Sequence, residues 1–382
     1  MTFKDLLLSE SILNALTKKG YITPTEIQSK AIPSILQGRD ILASAQTGTG
    51  KTAAFVVPLL QLLSGATKRK FNSPQIRSLI LTPTRELALQ IDTNIREYAC
   101  NLKINSVVIF GGVPQNQQVN KLRASCDILV ATPGRLMDLM HQGHVNLSGV
   151  EYFVLDEADR MLDAGFLNDV KKIVRALPLK KQTLLFSATV PPAIRELSKS
   201  LLHTPVNIAI HPVSSTAENI TQYVYHVDKS KKHDLLVDLL KDKRMDRVLV
   251  FTTMKYHADK IAKQLTQSGI RSEAIHGNKS QSRRQDILSG FKNRKLRVLI
   301  ATDIVARGID IDDLSYVVNY ELPDVPETYV HRIGRTGRKG NSGTAISFCS
   351  RDEQIQLKDI QKFISMPLNV AVSDALNKVA MN

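Results

Sequence analysis

A repeated unit runs through this chain: a short apolar run, then a polar or glycine-rich turn, then a stretch of helical pattern. The runs are β-branched and apolar on both faces, which is typical of parallel strands buried between helices. They fall at residues 40–44, 79–82, 107–110, 127–131, 152–155 and 183–186, and the pattern restarts at 248–252, 298–301, 316–319 and 344–348. The sequence therefore predicts an α/β fold with two tandem doubly wound parallel-sheet domains.

A polar stretch containing proline and serine separates the two sets of runs. Residues 205–219 show no apolar period after Ile210, and we place a linker at 210–219. The predicted N-terminal domain covers 31–209 and is preceded by a segment of residues 1–30. The predicted C-terminal domain covers 220–370 and is followed by a short tail, 371–382.

Charge and composition narrow the functional class. The formal net charge is +15 and both halves are basic, which favours a polyanionic partner contacted by both domains. No apolar run is long enough to span a membrane and no secretory leader is present, so we expect a cytoplasmic protein without a membrane partner. The three cysteines lie far apart and form no C-x-x-C pair, which predicts packed free thiols.

A phosphate-binding loop pattern follows the first predicted strand. Glycines let backbone N–H groups surround phosphate oxygens, and the helix that follows adds positive potential. Lys51 is expected to reach the terminal phosphates, and Thr52 to offer its hydroxyl to Mg²⁺. The loop consists of Ala45, Gln46, Thr47, Gly48, Thr49, Gly50, Lys51 and Thr52.

An acidic segment, Asp156-Glu157-Ala158-Asp159, follows the apolar run at 152–155. An acid at a strand end, one loop across from a phosphate loop, is placed to hold Mg²⁺ through water, and we predict this role for Asp156. Glu157 is the candidate to orient or deprotonate the attacking water. The two segments predict an NTPase and leave a GTPase or a simple kinase open, although the Asn-Lys-x-Asp segment of a GTPase is missing.

Further segments recur after the other predicted strands, and with them the chain resembles the DEAD-box RNA helicases from Phe3 to about Phe348, most closely their bacterial RhlE-like branch. The resemblance implies two RecA-like domains with ATP in a cleft between them, and an RNA-stimulated ATPase that opens short duplexes. ATP and Mg²⁺ are the implied cofactors. RNA is the implied partner, and ribosome-assembly and RNA-decay proteins stay open as others. The segments are Pro83-Thr84-Arg85, Gly111-Gly112, Thr132-Pro133-Gly134-Arg135, Ser187-Ala188-Thr189, Ala301-Thr302-Asp303, Arg307-Gly308-Ile309-Asp310 and the stretch from His331 to Arg338.

The resemblance also implies contacts to ATP outside the phosphate loop. By it, Tyr21 stacks on the adenine and Gln28 hydrogen-bonds the base edge, since one side-chain amide can both donate and accept. It places Gly308 and Asp310 at the ATP site too, with Asp310 on the ribose side. We choose Arg335 and Arg338 as arginine fingers, which would meet the γ-phosphate only on domain closure.

The residues that the resemblance assigns to RNA suit recognition of a backbone, because they are mostly threonine hydroxyls, glycines and arginines. They are Pro83, Thr84, Arg85, Gly111, Gly112, Thr132, Gly134, Arg135, Gln281, Arg284 and Thr302. Coupling of hydrolysis to strand opening is assigned to Asp159, Ser187, Thr189 and His331. For the Ser187 segment, physical reasoning alone does not separate coupling from an ordinary helix N-cap.

Two other functions share these motifs. An ATP-gated RNA clamp that nucleates a ribonucleoprotein complex would seldom unwind a duplex, and the sequence does not exclude it. A DNA-directed helicase is the weaker option, and only the family resemblance argues against it.

Overall fold

The computed structural model divides the chain into two units, Met1–Pro212 and Val213–Asn382. Each unit contains a sheet whose described strands are all parallel, as the repeated unit predicts. The structure describes residues 1–46, 48–65, 75–210, 220–303, 314–337 and 342–371.

The sheet of the first unit has the order β3-β4-β2-β5-β6-β1-β7. Its strands are β1 (Ile41–Ser44), β2 (Ser78–Leu81), β3 (Ser106–Ile109), β4 (Ile128–Ala131), β5 (Tyr152–Leu155), β6 (Gln182–Ser187) and β7 (Val206–Ala209). A 3₁₀ turn, Phe3–Leu6, precedes the helices α1 (Glu10–Lys18), α2 (Glu26–Leu36), α3 (Lys51–Gly65), α4 (Arg85–Tyr98), α5 (Asn116–Ala124), α6 (Pro133–His141), α7 (Ala158–Asp163), α8 (Leu167–Arg175) and α9 (Pro192–Leu201).

The sheet of the second unit repeats this order with every strand number raised by seven, β10-β11-β9-β12-β13-β8-β14. Its strands are β8 (Ile220–His226), β9 (Val248–Thr252), β10 (Ser272–Ile275), β11 (Val298–Thr302), β12 (Tyr316–Asn319), β13 (Gly343–Cys349) and β14 (Asn369–Val370). The described helices are α10 (Lys232–Leu239), α11 (Lys255–Gln267), α12 (Gln281–Lys292), α13 (Pro326–Ile333) and α14 (Gln354–Ile364), with 3₁₀ turns at Lys229–Lys231 and Arg351–Glu353.

Helices on both faces explain why the strands are apolar throughout. In the first unit, α1–α4 pack on one face of the sheet and α5–α9 on the other, so every residue of β2, β4 and β6 is buried. Connections leave β2 and β5 in opposite directions, and they do the same at β9 and β12. Such a switch opens a crevice at the carboxyl ends of the strands, where ligands of doubly wound sheets bind.

The described strands that the sequence did not predict are β7, β8, β10 and β14, and three of them lie at sheet edges. Edge strands are half exposed and carry polar residues, so their runs are not continuously apolar. At the start of the polar stretch 205–219, Val206–Ala209 pairs with β1 and lies before the predicted linker. The predicted linker after Ile210 and the tail after Ala371 lie outside the described residues, so the domain bounds stay predictions.

Two sequence expectations concern single features. All three cysteines are free, and Cys126 and Cys349 are buried, but Cys100 is exposed and so not packed as predicted. No described helix is both long and apolar enough to cross a lipid bilayer.

Candidate functional site

The phosphate-loop pattern forms the connection from β1 to α3, as predicted. Gly48 and Gly50 have φ values of 88° and 92°, a backbone conformation that only glycine adopts without strain. Lys51 begins the helix, is buried, and donates from Nζ to the Ala45 carbonyl at 2.9 Å. The charge of Lys51 therefore lies against the phosphate loop. Thr47 falls outside the described residues.

Gln28 ties the phosphate loop to the N-terminal segment. Its Oε1 accepts from the Thr25 backbone N–H at 2.9 Å, and its Nε2 donates to the Gly50 carbonyl at 3.2 Å. Each amide atom keeps the capacity for one more hydrogen bond, which an adenine edge requires. Tyr21 is 38% exposed and its hydroxyl lies 3.3 Å from that of Tyr98, so its ring is accessible and its orientation fixed.

The acidic segment follows β5, as predicted, and Asp156 is the most buried of its three acidic residues at 2% exposure. Its Oδ1 has no hydrogen-bond partner among the described residues. Burial raises the pKa of Asp156 to about 7, against the opposing effect of Lys51. An unpartnered buried carboxylate oxygen beside a triphosphate loop fits a divalent cation, and Thr52 is positioned in the first turn of α3 to supply a hydroxyl.

Glu157 adopts φ 55° and ψ 51°, the left-handed region that costs a non-glycine residue about 1–3 kcal/mol and is common at functional sites. Arg160 donates from Nη1 to its Oε2 at 2.6 Å, and both side chains are 6% exposed. Arg160 was not predicted from the sequence. Its only signal was the position three residues along the helix, where a partner on the same face is expected.

Asp159 joins the acidic segment to the segment after β6. Its Oδ2 accepts from the backbone N–H and the hydroxyl of Thr189, both at 2.9 Å, and its own N–H donates to the Ser187 hydroxyl at 3.1 Å. Burial opposes ionisation, but Lys51 and the hydrogen bonds from Thr189 and Ser187 outweigh it and hold the pKa of Asp159 below its usual range. Three of the predicted coupling residues, Asp159, Ser187 and Thr189, are therefore in direct contact.

The RNA candidates of the first unit follow β2, β3 and β4, as predicted, and the structure joins them in pairs. The Arg85 guanidinium lies against Gly111 and Gly112, so closely that a Cβ at Gly112 would collide with it. Arg135 donates from Nη2 to the Val113 carbonyl at 3.1 Å, and its buried Nη1 has no partner among the described residues. Pro83 and Thr132 are buried, Thr84 caps α4, and Gly134 is exposed in the first turn of α6.

In the second unit, Gln281 and Arg284 form a buried pair in the first turn of α12. Arg284 donates to Gln281 Oε1 at 2.7 Å, while Gln281 Nε2 is buried without a partner among the described residues. Thr302 ends β11 and lines a cavity of about 310 Å³ together with Thr253 and Lys255. Thr253 and Lys255 were not predicted from the sequence, since only the end of a predicted strand marked their position.

The arginines of the stretch from His331 have different surroundings. Arg332 is 1% exposed and binds Asp303 through two hydrogen bonds of 2.6 and 2.8 Å. Arg335 is also buried, at 2% exposure, and its backbone bonds to Leu314. His331 lies in α13 and is partly buried. The predicted residues Gly308, Asp310 and Arg338 lie outside the described part of the chain.

Within the described ranges, no three histidine, cysteine, aspartate or glutamate side chains converge as a metal cage would require. The acidic segment offers one open carboxylate oxygen instead. Mg²⁺ is commonly held by one or two carboxylates, substrate phosphates and water rather than by such a cage, so the residues present fit this ion.

Two families of known proteins match the chain. The DEAD/DEAH box helicase family matches residues 25–197, and the helicase conserved C-terminal domain matches residues 231–340.

Individual relatives match nearly all of the chain. It is 41% identical over 377 residues to the ATP-dependent RNA helicase SrmB of Escherichia coli, covering 98% of this chain and 84% of that protein. It is 39% identical over 378 residues to the ATP-dependent RNA helicase DbpA of Bacillus subtilis, covering 99% and 78%. The structure of Saccharomyces cerevisiae Dbp5 bound to RNA and ADP BeF3 matches with a TM-score of 0.87 and 32% identity, covering 100% of this chain and 98% of that one.

Proposed function

Since the chain belongs to the DEAD-box family of ATP-dependent RNA helicases, we propose that it hydrolyses ATP at the phosphate loop and acidic segment of its first unit. It is an ATP-dependent RNA helicase, an RNA-stimulated ATPase that uses ATP with Mg²⁺ and has RNA as its partner. The resemblance to the RhlE-like branch stays a prediction. So does a cytoplasmic location.

The observation that supports this site most strongly is the buried charge cluster at the carboxyl end of β5. Asp156, Glu157 and Asp159 are all at most 6% exposed; Arg160 forms an ion pair with Glu157, and the charge of the buried Lys51 acts on Asp156 and Asp159. Buried charges are costly unless compensated, so the one carboxylate in excess fits a cation carried in with the nucleotide. Mg²⁺ at Asp156 and Thr52 would neutralise developing phosphate charge.

The residues around this cluster have separate tasks in the proposal. Lys51 exchanges the Ala45 carbonyl for phosphate oxygens, while Gln28 and Tyr21 select adenine. Glu157 orients the attacking water and accepts its proton, while Arg160 of the helix that follows holds its Oε2 in place. Arg335 and Arg338 of the second unit supply positive charge to the γ-phosphate.

RNA binding in the proposal uses the arginines, threonines and glycines of both units. Because these groups recognise phosphate and sugar, binding has little sequence preference. Arg135 Nη1 and Gln281 Nε2 support this assignment, since a buried donor without a partner is costly unless a ligand satisfies it. Asp159, Ser187 and Thr189, with His331, would transmit closure to the hydrolysis site.

The test compares ATPase rates with and without single-stranded RNA for the wild type and for Glu157→Gln. We expect RNA to stimulate the wild type, and the variant to lose about 100-fold or more in kcat while keeping ATP-dependent RNA binding. Glu151→Gln is the matched control, because Glu151 precedes the same strand at its other end and pairs with Arg77.

RNA-independent hydrolysis by the wild type, or full activity of Glu157→Gln, would contradict the proposal. Displacement of a short RNA duplex is measured alongside. ATP-dependent binding without displacement would favour the clamp function, which the comparisons do not favour.

A further inference from the structure

Glu321, two residues beyond the end of β12, accepts four hydrogen bonds on one carboxylate. Its Oε2 accepts from the Thr252 hydroxyl at 2.7 Å, and from the N–H and the hydroxyl of Thr253 at 2.7 and 2.6 Å. Its Oε1 lies 2.7 Å from His257 Nδ1. The carboxylate therefore anchors the segment after β9, which includes Thr253 and Lys255, to the segment after β12.

The anchored segment forms one wall of the cavity of about 310 Å³ that contains Thr302. Lys255 is exposed at this cavity and donates to Asn278 Oδ1 at 2.9 Å. Glu321 does not line the cavity, so its side chain acts on the cavity through Thr253 and the residues that follow.

The opposite wall of the cavity is also connected to Glu321. Arg332 binds Asp303, the residue after Thr302, through two hydrogen bonds, and it donates from Nη1 to the Glu321 carbonyl at 2.6 Å. The side chain of Glu321 therefore fixes one wall and its backbone contacts the group that fixes the other. The pairing of β9 with β11 places Thr302 opposite Thr252, and Glu321 adds a further constraint on the residues after β9.

The carboxylate of Glu321 is stabilised in its ionised form. Burial opposes ionisation, but the hydrogen bonds from Thr253 and Thr252 and the proximity of His257 lower its pKa to about 2. A fixed negative charge close to a polyanion site weakens binding by itself. Its presence beside the Thr302 cavity is therefore explained by the geometry that it imposes, not by its charge.

We propose that Glu321 is a positioning residue for RNA, which fixes the segment after β9 so that Thr253 and Lys255 meet the same stretch of RNA backbone as Thr302. The inference rests on the proposed function, because it deepens the RNA site of an RNA-stimulated ATPase.

The test measures the RNA concentration that half-saturates ATPase stimulation, using an unstructured single-stranded RNA. Glu321→Met keeps the size of the side chain but removes every acceptor, and should raise that concentration about tenfold or more, which corresponds to loss of one or two charge-assisted hydrogen bonds. Glu321→Gln should stay within about threefold, because its oxygen can face Thr253 while its amino group faces His257. The KM for ATP should not change.

Thr252→Val removes one hydrogen bond to Glu321 while keeping the fold. Thr252 is fully buried in β9, so it cannot touch RNA, and its hydroxyl donates to Glu321. Valine has nearly the same shape, and we expect a rise of about three- to fivefold in the half-saturating RNA concentration for one lost hydrogen bond.

Asp242→Asn is the charge control. Asp242 precedes β9, at the opposite end of the strand from Thr253, and is held ionised by hydrogen bonds from Arg244. Its replacement adds the same +1 to the net charge, and should leave RNA binding equal or slightly tighter. The expected weakening by Glu321→Met is therefore opposite in sign to the charge effect.

The outcomes separate the two proposals. A wild type without RNA stimulation would contradict the proposed function. A stimulated wild type with unchanged half-saturation in both Glu321→Met and Thr252→Val would overturn the positioning role. The positioning role would also be overturned if both variants lowered thermal stability, kcat and ATP affinity together, since that pattern indicates that Glu321 only stabilises the fold.

Discussion

Gly112→Ala is the substitution whose effect on RNA binding is best defined by the structure. Gly112 has a φ of 75°, and a Cβ there would lie 2.5 Å from Arg85 Cζ and 2.6 Å from Nη2. The left-handed backbone costs an alanine about 1–2 kcal/mol of stability. The collision is with the far end of a flexible side chain, so we expect Arg85 to swing away rather than the strand to distort.

The loss of RNA affinity follows from that displacement. A charge-assisted hydrogen bond contributes about 1.5–3 kcal/mol, and 1.4 kcal/mol is tenfold in affinity, so Gly112→Ala should weaken RNA binding about tenfold or more. One phosphate contact fewer should also reduce the slope of log affinity against log salt by about 0.7, the value for single strands. The assay is RNA titration by fluorescence anisotropy at several salt concentrations.

Two comparisons make the prediction specific. Gly111→Ala should bind RNA nearly as the wild type does, because a Cβ there meets Arg85 Nη2 at an ordinary 3.7 Å. In the Arg85→Ala background, Gly112→Ala should cost no further affinity, since the arm that it displaces is already gone. Undiminished affinity of Gly112→Ala, or a second full loss in that background, would refute the reasoning.

Two further predictions concern the buried carboxylates. Asp159→Asn removes the charged acceptor of Thr189. We expect duplex displacement per ATP hydrolysed to fall about tenfold, while the ATPase rate stays within about threefold of the wild type, as measured in parallel assays. Equal losses of displacement and ATPase rate would contradict a coupling role. The folded-state pKa of Glu321 is about 2, below the ordinary carboxyl pKa of 4.5. The stability that its charge contributes should therefore be complete above pH 4.5 and be lost as the pH falls through 2. On acidification the wild type should lose this stability, which Glu321→Gln lacks at every pH. Denaturant unfolding from pH 5 to pH 2.5 tests this, and parallel losses in the two proteins would exclude it.

The sequence predicted the fold best where strands are buried on both faces. Tyr152–Leu155 and Tyr316–Asn319 lie in the middle of their sheets, and both were predicted to the residue. Ile220–His226 was missed because it alternates exposed and buried positions, and Thr221 and Gln222 break its apolar run. Tertiary pairing, rather than local composition, makes such a segment a strand.

The sequence also identified most of the residues at the candidate site, but not their partners. The position after a strand end predicted Glu157, and the family resemblance implied Arg85. Neither predicted that Arg160 pairs with Glu157, or that Gly112 is needed for the approach of Arg85. These relations depend on side-chain directions and loop paths, which no periodicity encodes.

Each unit contains a carboxylate after a central strand that binds the segment after a neighbouring strand, although that neighbour lies on opposite sides of the central strand in the two units. In the first, Asp159 follows β5 and binds the segment after the adjacent strand β6. In the second, Glu321 follows β12, the counterpart of β5, and binds the segment after the adjacent strand β9. Asp159 belongs to a motif, whereas Glu321 and Thr253 are 68 residues apart and only the parallel pairing of their strands brings them together. A carboxylate after a central strand can thus fix a neighbouring loop, and in each unit the loop that it fixes contains or adjoins residues assigned to coupling or to RNA.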